Sequence, residues 1–183
     1  MISIFSIWCA AHPPSSHPAT IPMGDIRLGS NDLAGAFQLA SAVVKGEVTD
    51  CTPVAVTDER TAVPHTQCIL SADEVFKGPS GPLMVQFMGG LTHTPGKFAQ
   101  VSNHQTLWTG QKAIVFLREE PAGYWTPTDP TSSFVIRGEG PMQNVALLGP
   151  GLVLESGNGD ARAELGWDVL VARIRTVAAQ HNP

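Results

Sequence analysis

The chain has 183 residues, of which 43% are apolar and 15% charged, so it is long enough for one domain with a hydrophobic core and is globular in composition. Its 11 basic and 16 acidic residues give a net charge of −5 without a Lys/Arg cluster, and we therefore expect no nucleic-acid partner. No apolar run reaches the roughly 18–20 residues of a membrane-spanning helix. The 18 Gly and 15 Pro indicate many turns and favour a mainly β fold.

The first 30 residues read as a leader and linker rather than as part of the domain. Residues 2–11, ISIFSIWCAA, have the length of a short signal-peptide core but no basic residues before them. They are either a truncated or mis-started signal peptide or a disordered tail. Residues 12–30 carry four prolines and indicate an extended linker. We expect one domain over residues 31–181 and an extracytoplasmic (periplasmic or secreted) location.

The domain is expected to begin with a short helix followed by a strand. Asn31-Asp32 offers an N-cap to the segment LAGAFQLAS, which predicts a helix at about 32–40. Residues 41–51, SAVVKGEVTDC, alternate between apolar and polar positions and predict a half-buried strand. Residues 52–65, with two prolines, predict a long exposed loop.

A second strand begins at Thr66 and contains two adjacent acids. Its inward face carries Cys68, Leu70 and Ala72. Strict alternation would next place Glu74 inward, yet the apolar residues are Val75 and Phe76, so the phase slips by one at Asp73-Glu74. A β-bulge produces such a slip. Neighbouring residues of a strand also point to opposite faces, so these acids are expected to be structural or solvent-facing and not a catalytic pair.

The rest of the chain predicts further strands and one helix. The third strand has Leu83, Val85 and Phe87 inward and ends at Gly89-Gly90. Residues 112–119, KAIVFLRE, predict a strand buried on both faces. Shorter strands are expected near 98–101, 124–126, 133–137, 143–148 and 152–155. A helix is predicted at about 162–180, with one apolar stripe formed by Trp167, Leu170, Ile174 and Val177.

The cysteines indicate a disulfide between Cys51 and Cys68. Cys51 closes the first strand and Cys68 opens the second, so antiparallel pairing would bring the two sulfurs together. Such a bond would stabilise the fold by roughly 3 kcal/mol in the chain-entropy model. Two free thiols or a pair of metal ligands remain open as alternatives. Cys9 lies in the leader-like segment, and its removal would leave an even pair.

No motif predicts a catalytic residue, a metal site or a cofactor. The six histidines show no HxxxH or HxH spacing, and no nucleophile or phosphate-binding motif is present. The aromatic residues Trp108, Tyr124 and Trp125 lie near expected turns, where they would either form a binding face or cap the core. His93 and His104 are further candidate binding residues, and together with Asp73 they are the only basis for an enzyme with a dispersed site.

The order of several short motifs resembles one family of bacterial exported proteins of unassigned function. These motifs are ASAVVKGEV, DEVFKG, Gly-Gly, TGQKAIVFL, GYW and FVIRGEG, followed by a closing helix, and they cover about residues 31–140. The family has a netrin-like or OB-like β-barrel, distantly like the tissue inhibitors of metalloproteinases. A late Gln-Gly pattern of that family is replaced here by residues 137–140, RGEG. The resemblance implies a small five-stranded barrel, closed or partly open, with an N-terminal and a C-terminal helix.

The resemblance carries over no catalytic residue. A metalloproteinase-inhibitor mechanism would require Cys9 to become the first residue, and cleavage after Trp8 is disfavoured because signal cleavage prefers a small residue there. We therefore expect an exported, non-enzymatic binding protein whose partner is a protein or a cell-surface ligand, contacted through residues 52–65 and 91–110. The alternatives are a protease-inhibitor-like barrel and an enzyme with an unrecognised site.

Overall fold

The computed structural model describes residues 26–28, 31–54, 64–91, 98–99, 107–129, 133–137, 144–147, 152–154 and 166–181. The longer strands are β3 (Ala42–Val54), β4 (His65–Lys77), β5 (Leu83–Met88), β8 (Lys112–Glu119) and β10 (Ser133–Arg137). The shorter ones are β1 (Ile26–Leu28), β2 (Asn31–Asp32), β6 (Gly90–Leu91), β7 (Phe98–Ala99), β9 (Trp125–Pro127), β11 (Asn144–Leu147) and β12 (Leu152–Leu154). The helices are α1 (Leu33–Leu39) and α2 (Trp167–His181).

Five of these strands close into a barrel in the order β8-β3-β4-β5-β9, with β9 returning to β8. The pairs β8–β3, β3–β4, β4–β5 and β8–β9 are antiparallel, and β5–β9 is parallel. Two strands share the edge of β8 that faces away from β3. Residues 113–115 pair with β10 and residues 117–119 pair with β9. The predicted mainly β fold with a small closed barrel and two helices is therefore confirmed.

Two hydrophobic cores lie on opposite sides of β3 and β8. The barrel interior contains alternate residues of these strands, such as Val44 and Val115, together with side chains of β4, β5 and β9. The opposite faces carry Val43, Ile114 and Phe116, which pack against α1 and α2. The predicted burial of residues 112–119 on both faces is confirmed for the five positions from Ala113 to Leu117. The barrel wall is thus the middle layer of a three-layer arrangement.

A bulge at Asp73 lets one strand contribute to both cores. Lys45 pairs with Glu74 and the next residue, Gly46, pairs with Ala72, so Asp73 is the extra residue on β4. Ala72 packs against the barrel interior, whereas Phe76, after the bulge, is buried in the helix-side core. The slip predicted from the sequence is confirmed. Val75 is 37% exposed, so Phe76 is the apolar residue that the bulged segment places in a core.

The two helices end close to their expected boundaries. Asp32 caps α1 by accepting a hydrogen bond from the Gly35 backbone N–H at 2.6 Å. At the other end of α1, the Lys77 ammonium donates to the carbonyl oxygens of Phe37 and Gln38 at 3.0 and 3.2 Å. α2 begins at Trp167, and the expected residues 162–165 lie outside the described part of the chain.

The structure corrects the predicted bounds of the linker and of the loop between β3 and β4. Residues 26–28, placed in the linker by the sequence, form strand β1 and pair with β12 and β2. The leader-like residues 2–11 lie outside the described residues. The expected loop is shorter than residues 52–65, because β3 continues to Val54 and β4 starts at His65.

Gly46 is the residue that allows the bulge to approach β3. A Cβ atom built on Gly46 would lie 3.0 Å or less from backbone atoms of Ser71 and Ala72. Because those atoms belong to a paired strand, they cannot move aside without breaking the ladder. We expect Gly46→Ala to lower the free energy of unfolding by about 2–3 kcal/mol, measured by urea denaturation.

Gly166→Ala is the matched control for this substitution. Its added methyl group would meet only the Val169 side chain, at 3.8 Å, which is ordinary contact. We expect a loss of less than about 1 kcal/mol, because Gly166 accepts the first hydrogen bonds of α2 and Ala is a poorer N-cap residue than Gly. Equal stabilities for Gly46→Ala and the unmodified protein would show that the close approach at the bulge is not a constraint.

Glu74 joins the barrel to α2 by accepting hydrogen bonds from two cations. Arg175 donates through Nε to Oε1 at 2.7 Å and through Nη2 to Oε2 at 3.0 Å, and Lys45 donates to Oε2 at 3.1 Å. The Arg175 hydrogen bond, with a smaller contribution from Lys45, lowers the pKa of Glu74 below its usual 4.5 against the opposing effect of burial. The bulge therefore places a carboxylate where it holds a helix against the barrel.

The pH dependence of stability follows from the direction of this shift. Since the pKa of Glu74 is lower in the folded protein, its contribution to stability is present above pH 4.5 and is lost as the pH falls through the folded-state pKa. We expect Glu74→Gln to cost about 1 kcal/mol at neutral pH and to cost progressively less in acid, measured by urea unfolding across the pH range. Asp73→Asn, at the exposed neighbouring position, should leave the free energy of unfolding unchanged at neutral pH and in acid.

Candidate ligand-binding cleft

The barrel closes through one short strand. β9 pairs with β8 at three positions, from Leu117↔Pro127 to Glu119↔Trp125, but with β5 at the single position Val85↔Trp125. β5 has six residues and pairs with β4 along its whole length. Within the described residues, β5 therefore forms a full ladder with β4 but a ladder of a single position with β9.

The direction of the backbone groups shows why this parallel ladder is short. The Gly89 N–H donates to the Pro64 carbonyl at 2.6 Å, so alternation directs the backbone groups of Phe87 and Val85 toward β4 and those of Gln86 toward β9. In a parallel ladder, the Gln86 carbonyl would next accept from residue 127. That residue is a proline, which has no N–H, and the ladder stops there.

A cleft of about 400 Å³ opens where the ladder stops, and we call it the seam cleft. One wall is the end of β5, and the other is formed by β9 and the residues beside it. The principal lining residues are Gln86, Phe87, Met88, Tyr124, Thr126 and Pro127. Apolar and polar groups are mixed along these walls, as is usual in sites that bind a ligand in one orientation.

A buttressed carboxylate lies in the seam cleft. Oε1 of Glu120 accepts hydrogen bonds from Arg118 Nε at 3.1 Å, from Arg118 Nη2 at 2.8 Å and from the Thr126 hydroxyl at 2.8 Å. The Arg118 hydrogen bond, followed by that from Thr126, lowers the pKa of Glu120, so the group is ionised at neutral pH. The side chain of Glu120 is 22% exposed, and its Oε2 atom has no hydrogen-bond partner among the described residues.

The sequence-predicted binding residues do not form one surface. Tyr124 lines the seam cleft, whereas Trp125 is 9% exposed and belongs to the barrel interior. Trp108 is 41% exposed beside the turn at Thr109-Gly110, away from the cleft walls, and its backbone N–H donates to the Gln111 side chain at 2.9 Å. His93 and His104 lie outside the described residues, as does most of the surface expected over 52–65 and 91–110.

Sequence reasoning missed the polar residues of the cleft. Arg118 and Glu120 are ordinary strand-end charges in the sequence, and Gln86 is an outward residue of β5. Pro127 carried the only readable signal, because a proline near a strand end cannot continue a ladder. Its importance depends on which strand lies opposite, and that information is absent from the local sequence.

Cys51 and Cys68 are directly opposed on β3 and β4, with their sulfur atoms 2.08 Å apart, the distance of a disulfide bond. The predicted pair is confirmed, and the alternatives of free thiols and metal ligands fall away for these two residues. The Leu107 carbonyl oxygen lies 3.7 and 3.8 Å from the two sulfurs, and the Leu107 side chain is buried in the barrel interior. Residue 107 therefore lies over the disulfide bond, which joins the two strands.

In the part of the chain that the structure describes, no three His, Cys, Asp or Glu side chains gather as metal ligands do. No helix within the same ranges has both the length and the apolar character needed to span a membrane.

Comparison with known proteins does not extend these observations. No family model, curated protein or solved structure matches the chain. The class of the protein is therefore defined by its fold and site: a mainly β protein with a closed five-stranded barrel, a disulfide within the barrel wall and a cleft at the seam.

Pro127→Ala tests the explanation of the cleft. The substitution supplies the N–H that a continued parallel ladder would place opposite the Gln86 carbonyl. We expect the new amide at position 127 to be hydrogen-bonded and thus protected from hydrogen exchange, measured by NMR or mass spectrometry.

Pro79→Ala is the matched control, since Pro79 is exposed in the connection between β4 and β5. Its new amide should exchange at the rate of an unstructured chain. Equally fast exchange at position 127 would show that the strands separate for a reason other than the missing N–H.

Proposed function

We propose that this is an extracytoplasmic, non-enzymatic binding protein that holds its ligand in the seam cleft. The observation that carries the proposal is the cleft itself, which opens between two strands of a closed barrel. A volume of about 400 Å³ lies within the range of small-ligand sites, which is roughly 300–1,000 Å³. A cleft with strands as walls has fixed geometry, and a fixed site loses less conformational entropy on binding.

The disulfide supports a location outside the cytoplasm. Disulfide bonds form and persist in oxidising compartments and are rare where glutathione and thioredoxin keep thiols reduced. The Cys51–Cys68 bond lies in the barrel wall, with the Cys68 side chain 1% exposed, so it has a structural position rather than an accessible redox position. The motif resemblance to exported barrel proteins points in the same direction.

The other two functions considered from the sequence have less support. Asp73, one of the three residues on which a dispersed enzyme site was based, is exposed in the β4 bulge and does not line the seam cleft. The protease-inhibitor alternative rests on analogy between barrels, and Cys9, which a zinc-binding mechanism would need, lies outside the described residues.

Two measurements on the full chain test the proposal. Intact mass of protein recovered from its native host, with and without reduction before thiol labelling, should show Cys51 and Cys68 blocked until reduction. An NMR titration with a library of small amphipathic fragments should then move resonances of residues 86–88 and 124–128. Accessible thiols at both positions would contradict the location, and shifts confined to other surfaces would contradict the site.

A cleft-filling variant provides the matched control. Gln86→Trp should fill the seam cleft and abolish the fragment shifts, because Gln86 forms part of its wall. Met84→Trp places the same side chain two residues earlier on β5, outside the cleft walls, and should leave them unchanged. Equal fragment binding by the two variants would argue against the seam cleft as the site.

A further inference from the structure

We infer that the ligand of the seam cleft is a neutral sugar, held by hydrogen bonds to its hydroxyl groups and by contact of its ring with Tyr124. The inference rests on the proposed function and names the chemical class of the ligand. Three features of the cleft support it: a charge pair that is already compensated, half-buried polar side chains with hydrogen-bonding capacity left over, and an aromatic ring beside them.

The first feature is the charge balance of the cleft. Arg118 and Glu120 contribute one positive and one negative charge to its lining, and the guanidinium donates to the carboxylate through Nε at 3.1 Å and through Nη2 at 2.8 Å. A charged ligand would be attracted by one member of this pair and repelled by the other, and it would compete with a contact that is already formed. A neutral ligand meets neither opposition, so the pair favours it over a cation or an anion.

The second feature is the hydrogen-bonding capacity of the polar side chains. Within the described residues, Glu120 uses Oε1 for all three of its hydrogen bonds, and the Gln86 side-chain amide and the Tyr124 hydroxyl group make none. All three side chains are half-buried. Because they are partly withdrawn from water, a ligand that bonds to them restores hydrogen bonds that burial has removed.

Hydroxyl groups match this mixture of partners because each one donates and accepts at the same oxygen atom. The Glu120 carboxylate only accepts, the Arg118 guanidinium only donates, and the Gln86 amide does both. Neighbouring hydroxyl groups of a sugar would donate to Oε2 of Glu120 and accept from Arg118 at the same time, and hydrogen bonds linked in this way strengthen one another. A ligand with a single hydroxyl group satisfies only part of the set.

The third feature is the apolar surface beside these groups. Tyr124 and Pro127 both line the cleft, whereas Trp125 is buried in the barrel interior. The C–H face of a six-membered sugar ring packs on an aromatic face while the hydroxyl groups at its rim reach polar partners. The cleft volume of about 400 Å³ lies at the small end of ligand sites, which suits a ligand of about one or two rings.

Matched neutral and charged probes test the inference on the full chain. The neutral sugars are the methyl glycosides of glucose, galactose and mannose and the corresponding disaccharides. The comparison probes are cyclohexanol and the amino sugar and uronic acid of each hexose. NMR titration should give a dissociation constant of about 1 mM or lower for at least one neutral sugar, with shifts at residues 86–88 and 124–128. Its charged counterparts and cyclohexanol should bind at least about tenfold more weakly.

The same titration has two results that would overturn the inference. Tighter binding of an amino sugar or a uronic acid would show that the cleft selects a cation or an anion. Equal binding of cyclohexanol and the sugars would show that the hydroxyl groups are not recognised.

Two pairs of variants separate hydroxyl recognition from non-specific binding. Glu120→Gln removes a charge and Gln86→Met removes an amide at nearly constant size, so each should weaken sugar binding at least about fivefold and leave cyclohexanol binding unchanged. The matched controls are Glu119→Gln, at the exposed neighbouring position of β8, and Gln67→Met, opposite Gln86 on β4 and outside the cleft walls. Thermal unfolding checks that all four variants keep the fold. Unchanged sugar binding in both cleft variants would overturn the assignment.

Ring-current shifts test the contact with Tyr124. Protons on one face of the bound sugar should move upfield, and Tyr124→Leu should abolish that movement and weaken binding. Trp108→Leu, at an exposed aromatic residue away from the cleft walls, should change neither. An upfield shift retained in Tyr124→Leu would contradict the ring contact. Fragment binding at the cleft without any sugar binding would overturn this inference while leaving the proposed function intact, and absence of both would overturn both.

Discussion

The structure depends on the fact that one barrel strand must pack against two different cores. A regular strand offers each face to one environment along its whole length, because its side chains alternate strictly. The extra residue at Asp73 breaks this rule in β4, so that Ala72 packs in the barrel interior and Phe76 packs against the helices. Gly46 permits the close approach that the bulge requires, and Glu74 turns the reversed face into an ionic contact with α2. Barrel and helices are therefore joined where the β3–β4 ladder is irregular.

On the opposite side of the barrel, the ladder between β5 and β9 ends early because Pro127 has no N–H. β5 is fully paired with β4, yet its pairing with β9 ends after one position, where Pro127 has no donor. Closing a barrel normally removes its edges, which protects against uncontrolled strand pairing. Here the ladder between β5 and β9 ends after one position, beside the seam cleft. The carboxylates Glu74 and Glu120 also differ among the described residues, since Glu74 accepts hydrogen bonds on both oxygens and Glu120 on Oε1 alone.

The sequence predicted most of the strands because alternation is a local pattern, and it predicted the bulge because a slip in that pattern is also local. The N-cap at Asp32 and the run at 112–119 were readable for the same reason. The seam cleft was not, since it arises from the contact of β5 with β9, two strands joined by a parallel bridge. The Glu74–Arg175 contact spans 101 positions and leaves no periodic trace. The aromatic candidates Tyr124 and Trp125 are adjacent in sequence, so no local pattern told them apart. Because neighbouring residues point to opposite faces, Tyr124 lines the cleft and Trp125 lies in the core.

The disulfide has a consequence for the fate of a broken chain. Cys51 and Cys68 lie on either side of the connection between β3 and β4, so a single backbone cut between Val54 and Pro64 would leave both fragments covalently attached. Each fragment would still be held by ladder pairing on both sides of the cut. A nicked molecule would migrate as one species on a non-reducing gel and as two after reduction. The cross-link thus makes the barrel tolerant of proteases in the surroundings where disulfides themselves persist.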